Sequence, residues 1–241
     1  MGDATVLDQV WDVGRLIDLS CTYVAGMPDM PPPLPQFALR ELDAEMAKLC
    51  EGSEYRSFTQ EVRLCVQSGS CLETGAHMYP EMESIAEVGL ERLFVSAVVV
   101  HIPKKAHEHV TASDLQAALT SIGETLVPGE ALLVDTGYDC VATNDVDATH
   151  TPHFSYDAVE WIVRLQPAIL GSDMSQWHDG KEEPNFWPML MRSGVLISPM
   201  LSNLSILRVA RVHLVALPMK LSGACAAPCR LVAIEPTQVT A

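Results

Sequence analysis

The chain has 241 residues, with 31 acidic side chains against 15 lysines and arginines, a formal charge of −16. That balance argues against nucleic acid and anionic lipid as partners, because both are held through a basic footprint. Apolar residues make up 48% of the sequence, enough for a sizeable core, and the length fits one large domain or two small ones.

No apolar run reaches the ~20 residues needed to span a bilayer, so no membrane is expected. The opening residues up to Gly14 carry acids and no basic stretch leading into an apolar one, so no secretory leader is expected and the cytoplasm is the default. The seven cysteines, at 21, 50, 65, 71, 140, 225 and 229, are odd in number and irregularly spaced. They do not read as a secreted disulfide framework. Cys225 and Cys229 lack the second pair of a zinc ribbon and read as small buried hydrophobes.

Taken in chain order, residues 1–36 read as a strand around Ile17 and a proline-rich arm, since each proline fixes φ and removes a donor. Residues 38–52 have helix-forming composition and close on Gly52. The stretch 57–67 is β-rich, and 93–102 is almost continuously apolar, the pattern of a strand buried on both faces. Residues 112–123 predict a helix capped by Ser113 or Asp114. A second buried strand is predicted at 130–135, an amphipathic helix at 155–166 stopped by Pro167, and a third strand at 168–171. Two more strands follow, at 211–221 and 229–236. Strands and helices mix without a composition break, which predicts one α/β domain over residues 1–241.

Several segments recur in an informative order. They are Ile17-Asp18-Leu19-Ser20, residues 79–102, the helix start at 110–118, the Thr136-Gly137 strand end, residues 158–175 with Gly171-x-Asp173, and the closing 217–234. Together they resemble the cyclase family of metal-dependent hydrolases, kynurenine formamidase and isatin hydrolase among them. The resemblance implies a single-domain swivelling β/β/α fold with a mixed sheet core. It also implies a small-molecule substrate and a homodimer or homotetramer.

The family signature is His-x-Gly-Thr-His-x-Asp-x-Pro-x-His, in which two histidines and the aspartate bind metal and the last histidine shuttles protons. Here the matching segment runs from Gln67 through Gly69, Ser70, Cys71 and Glu73 to His77. Gln67 and Cys71 stand where the ligand histidines would be, and Glu73 where the aspartate would be. Trp187 and Pro199 align with the family's later His and Glu. A two-metal centre needs carboxylates enough to offset two dications, and this chain does not supply them.

Two kinds of chemistry stay open. A single zinc per chain would take Cys71, Glu73 and His77, which offer sulfur, oxygen and nitrogen donors; an extended strand over 67–73 would put Gln67, Cys71 and Glu73 on one face. Without a cofactor, Glu73 and His77 would work as an acid–base pair, or Cys71 as a nucleophile if its thiolate were stabilised. Gln67, Asp173, Trp177, His178 and Trp187 are the candidate substrate-binding residues, the tryptophans by stacking on an aromatic ring. His101, His107 and His109 read as a solvated loop. His150 and His153, three apart before a helix, are a candidate ligand pair. The expected activity is hydrolysis, or a related ring closure, on a small cyclic or aromatic amide, lactone or similar carbonyl compound. The alternative is a family member that binds a small molecule or partner without turnover.

Overall fold

The three continuous apolar runs become strands β5 (Phe94–His101), β7 (Ala131–Asp135) and β9 (Ile169–Ser172). They pair in parallel, in a register that aligns Val98 with Leu132 and Leu132 with Leu170. Parallel strands covered on both faces have no solvent side, so no polar alternation appears in their sequence. The computed structural model describes residues 14–27, 33–42, 52, 58–138, 150–178, 180 and 184–236.

The other strands are β1 (Arg15–Asp18), β2 (Ala38–Glu41), β3 (Gln60–Arg63), β4 (Cys71–Glu73), β6 (His109–Val110), β8 (His153–Phe154), β10 (Leu196–Ser198), β11 (Arg211–Pro218) and β12 (Ala226–Glu235). Three α-helices lie among the described residues: α1 (Ala112–Ile122), α2 (Tyr156–Leu165) and α3 (Phe186–Arg192). The main sheet runs β1-β12-β11-β5-β7-β9-β10-β4, and β4 pairs a second time with β12. That second pairing closes β12, β11, β5, β7, β9, β10 and β4 into a barrel. β1 is laid along the far half of β12, with Leu16 opposite Ile234.

Alternate side chains divide between two cores, as the two-residue period of a strand requires. Leu72, Val99, Leu133, Ile169, Leu214 and Leu231 fill one, inside the ring. Val98, Leu132, Leu170 and Ile197 form the other, outside it, under Leu115 of α1, Ile162 of α2 and Leu190 of α3. Among the described residues no helix is long and apolar enough to cross a membrane.

Two local expectations need correction. α1 is capped by Thr111, not by Ser113 or Asp114. Thr111 accepts from Asp114 N, and the Asp114 carboxylate accepts from Thr111 N in return, a reciprocal capping box. The expected helix over 38–52 fails at its start, where Ala38–Glu41 is strand β2 and pairs with β3. The cross-strand partners, Leu39 with Val62 and Arg40 ion-paired to Glu61 at 2.9 Å, outweigh a propensity of a few tenths of a kcal/mol per residue. Residues 43–51 of that expectation lie outside the described residues, as do 1–13 and 28–32 of the N-terminal arm.

Candidate active site

The signature segment folds in three steps. Residues 66–70 turn, with Gly69 at φ +58 and packed so that a Cβ there would meet Cys21 Sγ at 2.7 Å. The chain then enters β4, which wedges between β10 and β12. Beyond it, Thr74 caps a 3₁₀ turn at Gly75–His77, accepting from Ala76 N at 3.2 Å and donating to Glu83 O at 2.8 Å. Gly75 carries no Cβ because Met82 and the Met191 carbonyl of α3 close over it. The turn therefore doubles back and sets the His77 ring against Glu73.

The expected strand over 67–73 is thus limited to Cys71–Glu73, and Gln67 sits on the preceding turn. Gln67 reaches the site by the length of its side chain. Its Nε2 lies 3.3 Å from Glu73 Oε2 and 2.6 Å from His77 Nδ1, while its Oε1 accepts from the Cys65 thiol at 3.6 Å. In this orientation the NH₂ group of Gln67 bridges Glu73 and His77, donating to the carboxylate and, when Nδ1 carries no proton, to the imidazole. Glu73 Oε1 lies 3.7 Å from His77 Nδ1. A neutral His77 that accepts at Nδ1 carries its proton on Nε2.

Glu73 is 6% exposed. Burial raises its pKa above the usual glutamate range, and the neighbouring His77 and the Gln67 hydrogen bond offset part of the rise. His77 is the open member of the pair, with 43% of its side chain exposed. Cys225, which the sequence reading grouped with Cys229, is the residue that reading missed: its Sγ lies 3.8 Å from His77 Nδ1. No local signal marks it, since it comes from the β11–β12 connection, about 150 residues along the chain from His77. Burial, followed by the charge of Glu73, holds the Cys225 thiol above its ordinary pKa, and burial pushes Cys229 up to about 12.

A cavity of about 330 Å³ adjoins the cluster, lined by Ala76, Pro80, Met82, Ser84, Ser222 and Cys225 among others. Its volume is at the lower end of the range of small-molecule sites. A cavity of equal volume lies between Cys21–Tyr23 and Pro228–Arg230, and neither cavity is lined by Gln67, Glu73 or His77 themselves. The first is the candidate cleft, because its wall includes Ala76, next to His77, and Cys225, whose Sγ lies 3.8 Å from His77 Nδ1.

The remaining candidates are placed elsewhere. Cys71 is 0% exposed, its carbonyl accepts from Ser198 Oγ, and burial with the adjacent Glu73 charge drives its thiol well above the normal range. Burial of this kind disfavours a reactive thiolate and matches a packed thiol. Trp177 belongs to the outer core, 2% exposed, edge-on to Phe154 and donating Nε1–H to Met174 O at 3.2 Å. Trp187 packs edge-on to Phe186, and the His178 ring packs on the same Phe186. Asp173 ties the ends of β7 and β9 together, accepting from Thr136 N, Thr136 Oγ1 at 2.8 Å and Tyr138 N at 2.9 Å. None of these four borders the cleft.

The donor set does not fit a family-type metal centre. Gln67 presents its NH₂ face to the pair, Cys71 is fully buried, and the side chains of Trp187 and Pro199 have no donor to give. Among the described residues no three His, Cys, Asp or Glu side chains converge as ligands to one ion.

A closed barrel carrying helices on one side has counterparts of known structure. It superposes on isatin hydrolase A from Ralstonia solanacearum with a TM-score of 0.77, at 19% identity over 92% of each chain. The isatin hydrolase A of Labrenzia aggregata, solved with benzyl benzoate, gives 0.76 at 18% identity over 92% of this chain and 94% of that one. A predicted metal-dependent hydrolase from Bacillus stearothermophilus gives 0.71 at 20% identity, covering 91% and 97%. No curated protein matches the sequence. The family model described as "Putative cyclase" matches residues 17–179. The chain belongs to that family and has the fold of its hydrolases.

Proposed function

We propose that the chain is a hydrolase of a small cyclic or aromatic amide, lactone or related carbonyl compound, or a cyclase running the corresponding ring closure. Glu73 and His77 carry the chemistry without a metal. The observation behind this reading is the bridge of Gln67 between Glu73 and His77 at the edge of a cleft of substrate size. A carboxylate raised by burial is a stronger base than a solvated one, and the imidazole beside it can pass on a proton taken from it.

In the hydrolytic direction Glu73 takes a proton from water as the water oxygen bonds to the substrate carbonyl carbon. His77 takes that proton from Glu73 at Nδ1, becoming an imidazolium, and gives its Nε2 proton to the departing nitrogen or oxygen as the C–N or C–O bond breaks. That leaves Glu73 ionised and His77 neutral with its proton on Nδ1, and exchange with solvent restores the Nε2–H form. Gln67 keeps both groups in place and in these protonation states. The whole chain acts as one cytoplasmic domain. It works as a homodimer or homotetramer: the β2–β3 ribbon is exposed at every position, with Leu39 and Val62 more than half exposed.

The replaced ligand positions also support a second reading, a binding protein without turnover on an inherited scaffold. A panel of cyclic aromatic amides and lactones, isatin first, separates the two. Ring opening followed by absorbance, abolished in the His77→Ala variant, supports the enzyme. Thermal stabilisation of the chain by a compound that is recovered unchanged supports binding alone.

A further inference from the structure

Four histidines meet in one place, away from Glu73 and His77. β6 and β8 pair in parallel, with His109 opposite His153. His107 N donates to Thr151 O and His153 N to Glu108 O, both at 3.0 Å, which fastens the flanking segments together. The His107 and His150 ring centres are 5.2 Å apart, and His153 lies 6.1 Å from both His107 and His109. Two imidazoles sharing one tetrahedral ion, with metal–nitrogen bonds of ~2.0–2.1 Å, have ring centres about 5–6 Å apart.

Two further observations point to a ligand. His153 is buried, and its Nδ1 lies 3.3 Å from the Gln176 carbonyl oxygen. A carbonyl that takes the Nδ1 proton leaves Nε2 with its lone pair, the second-shell arrangement that orients metal-bound histidines. His107 has φ +65, a left-handed conformation uncommon outside glycine, and its ring neighbours both His150 and His153.

We propose that this cluster binds one divalent transition-metal ion of the zinc class, for which imidazole is a preferred ligand. His107, His150 and His153 supply three nitrogens, and His109 or water the fourth position. In the rotamers of the structure no three of these rings point at one centre. Seating the ion therefore takes rotation of His107 and His150, both exposed, while buried His153 stays fixed. The net charge of −16 raises the local concentration of cations around the chain. The bound ion would clasp residue 150 to the turn before β6, outside the catalytic cleft. The inference does not depend on the reaction proposed for Glu73 and His77.

The test is calorimetric titration of the full, EDTA-stripped chain with zinc chloride alone, with the bound ion counted by elemental analysis. Saturation at one ion per chain is expected. The double variant His107→Ala/His150→Ala should bind at least about tenfold more weakly, and His77→Ala as tightly as the wild type. Both substituted positions are at the surface, and His107→Gln/His150→Gln serves if the alanine variant melts early. Absence of saturable binding, an unchanged affinity in the double variant, or an equal loss in His77→Ala overturns the site.

Discussion

Glu73 stands directly opposite Ile197 in the β4–β10 ladder and opposite Ala226 in the β4–β12 ladder. Directly opposed residues share a face of the sheet, so the carboxyl is set into the apolar outer surface that elsewhere carries the helices. An ionised carboxylate there has lost most of its water and keeps two compensations, one N–H of Gln67 and the imidazole of His77. The position that makes Glu73 a competent base therefore also makes it costly to the fold.

That cost has a sign that can be measured. A carboxyl whose pKa is higher in the folded chain than in the unfolded one binds its proton more readily when folded. The resulting stability is complete below the unfolded value of about 4.5 and is lost as the pH rises through the raised folded value. Glu73→Gln removes the buried charge while keeping an oxygen that accepts from Gln67. It should raise Tm at pH 7 by on the order of 1–4 °C and leave Tm at pH 4 nearly unchanged, while turnover is lost. A lower Tm at pH 7 would mean that the neighbours stabilise the carboxylate by more than burial costs.

His77 and Gln67 should separate into chemistry and positioning. His77→Ala is expected to lower kcat by about 10²-fold or more, the usual worth of a placed acid–base group, with an unchanged circular dichroism spectrum because the ring is at the surface. Gln67→Leu keeps both reacting groups and frees them from their common tether. It should move the acidic limb of the kcat/KM pH profile to higher pH, because the Gln67 hydrogen bond favours the ionised Glu73. A Gln67→Leu profile that is scaled down without moving would mean that Gln67 only packs.

The sequence made the frame readable and left the site half hidden. The barrel strands at 94–101, 131–135 and 169–172 show themselves as continuous apolar runs because both their faces are covered. The Gln67–His77 segment was found by its glycine and terminal histidine, through resemblance. What spacing could not give is the direction of each side chain. A period-two rule put Gln67 on the strand with Cys71 and Glu73, whereas the turn at Gly69 breaks that strand. Trp177 and Asp173 looked like cavity residues because they follow the end of β9. The chain after β9 folds back inward at that point, Met200 N bonding to Met174 O, and takes Trp177 into the outer core. Cys225 carries no local pattern at all, since only the second pairing of β4, with β12, brings it to His77.

Asp173 gives a purely structural prediction. Its carboxylate accepts from two backbone N–H groups and the Thr136 hydroxyl across the β7–β9 strand ends, while burial and nearby Asp135 work against its charge. Asp173→Asn turns one acceptor into a donor facing N–H groups. It should cost about 2 kcal/mol, in the range for hydrogen bonds to a charged group, and leave the KM of the remaining folded enzyme unchanged. Denaturant titration and steady-state kinetics on the same preparation check both halves. A rise in KM without loss of stability would bring Asp173 back to the substrate.

Metal removal bears most directly on the mechanism. The relatives of known structure include proteins described as metal-dependent, yet in this chain the donor positions hold an amide turned by its NH₂ group, a fully buried thiol, a tryptophan and a proline beside the one carboxylate, Glu73. If Glu73 and His77 do the work, exhaustive treatment with EDTA, with residual metal checked by elemental analysis, should leave kcat within about twofold of the untreated enzyme. That holds even if zinc is stripped from the histidines at β6 and β8, because that cluster lies outside the cleft. The contrary result is equally specific: a loss of turnover on chelation, restored by zinc or manganese in wild type and in His107→Ala/His150→Ala alike. A metal would then act at Glu73 and His77, with Gln67 turned to offer its oxygen, and the charge-relay order proposed for the pair would have to be abandoned.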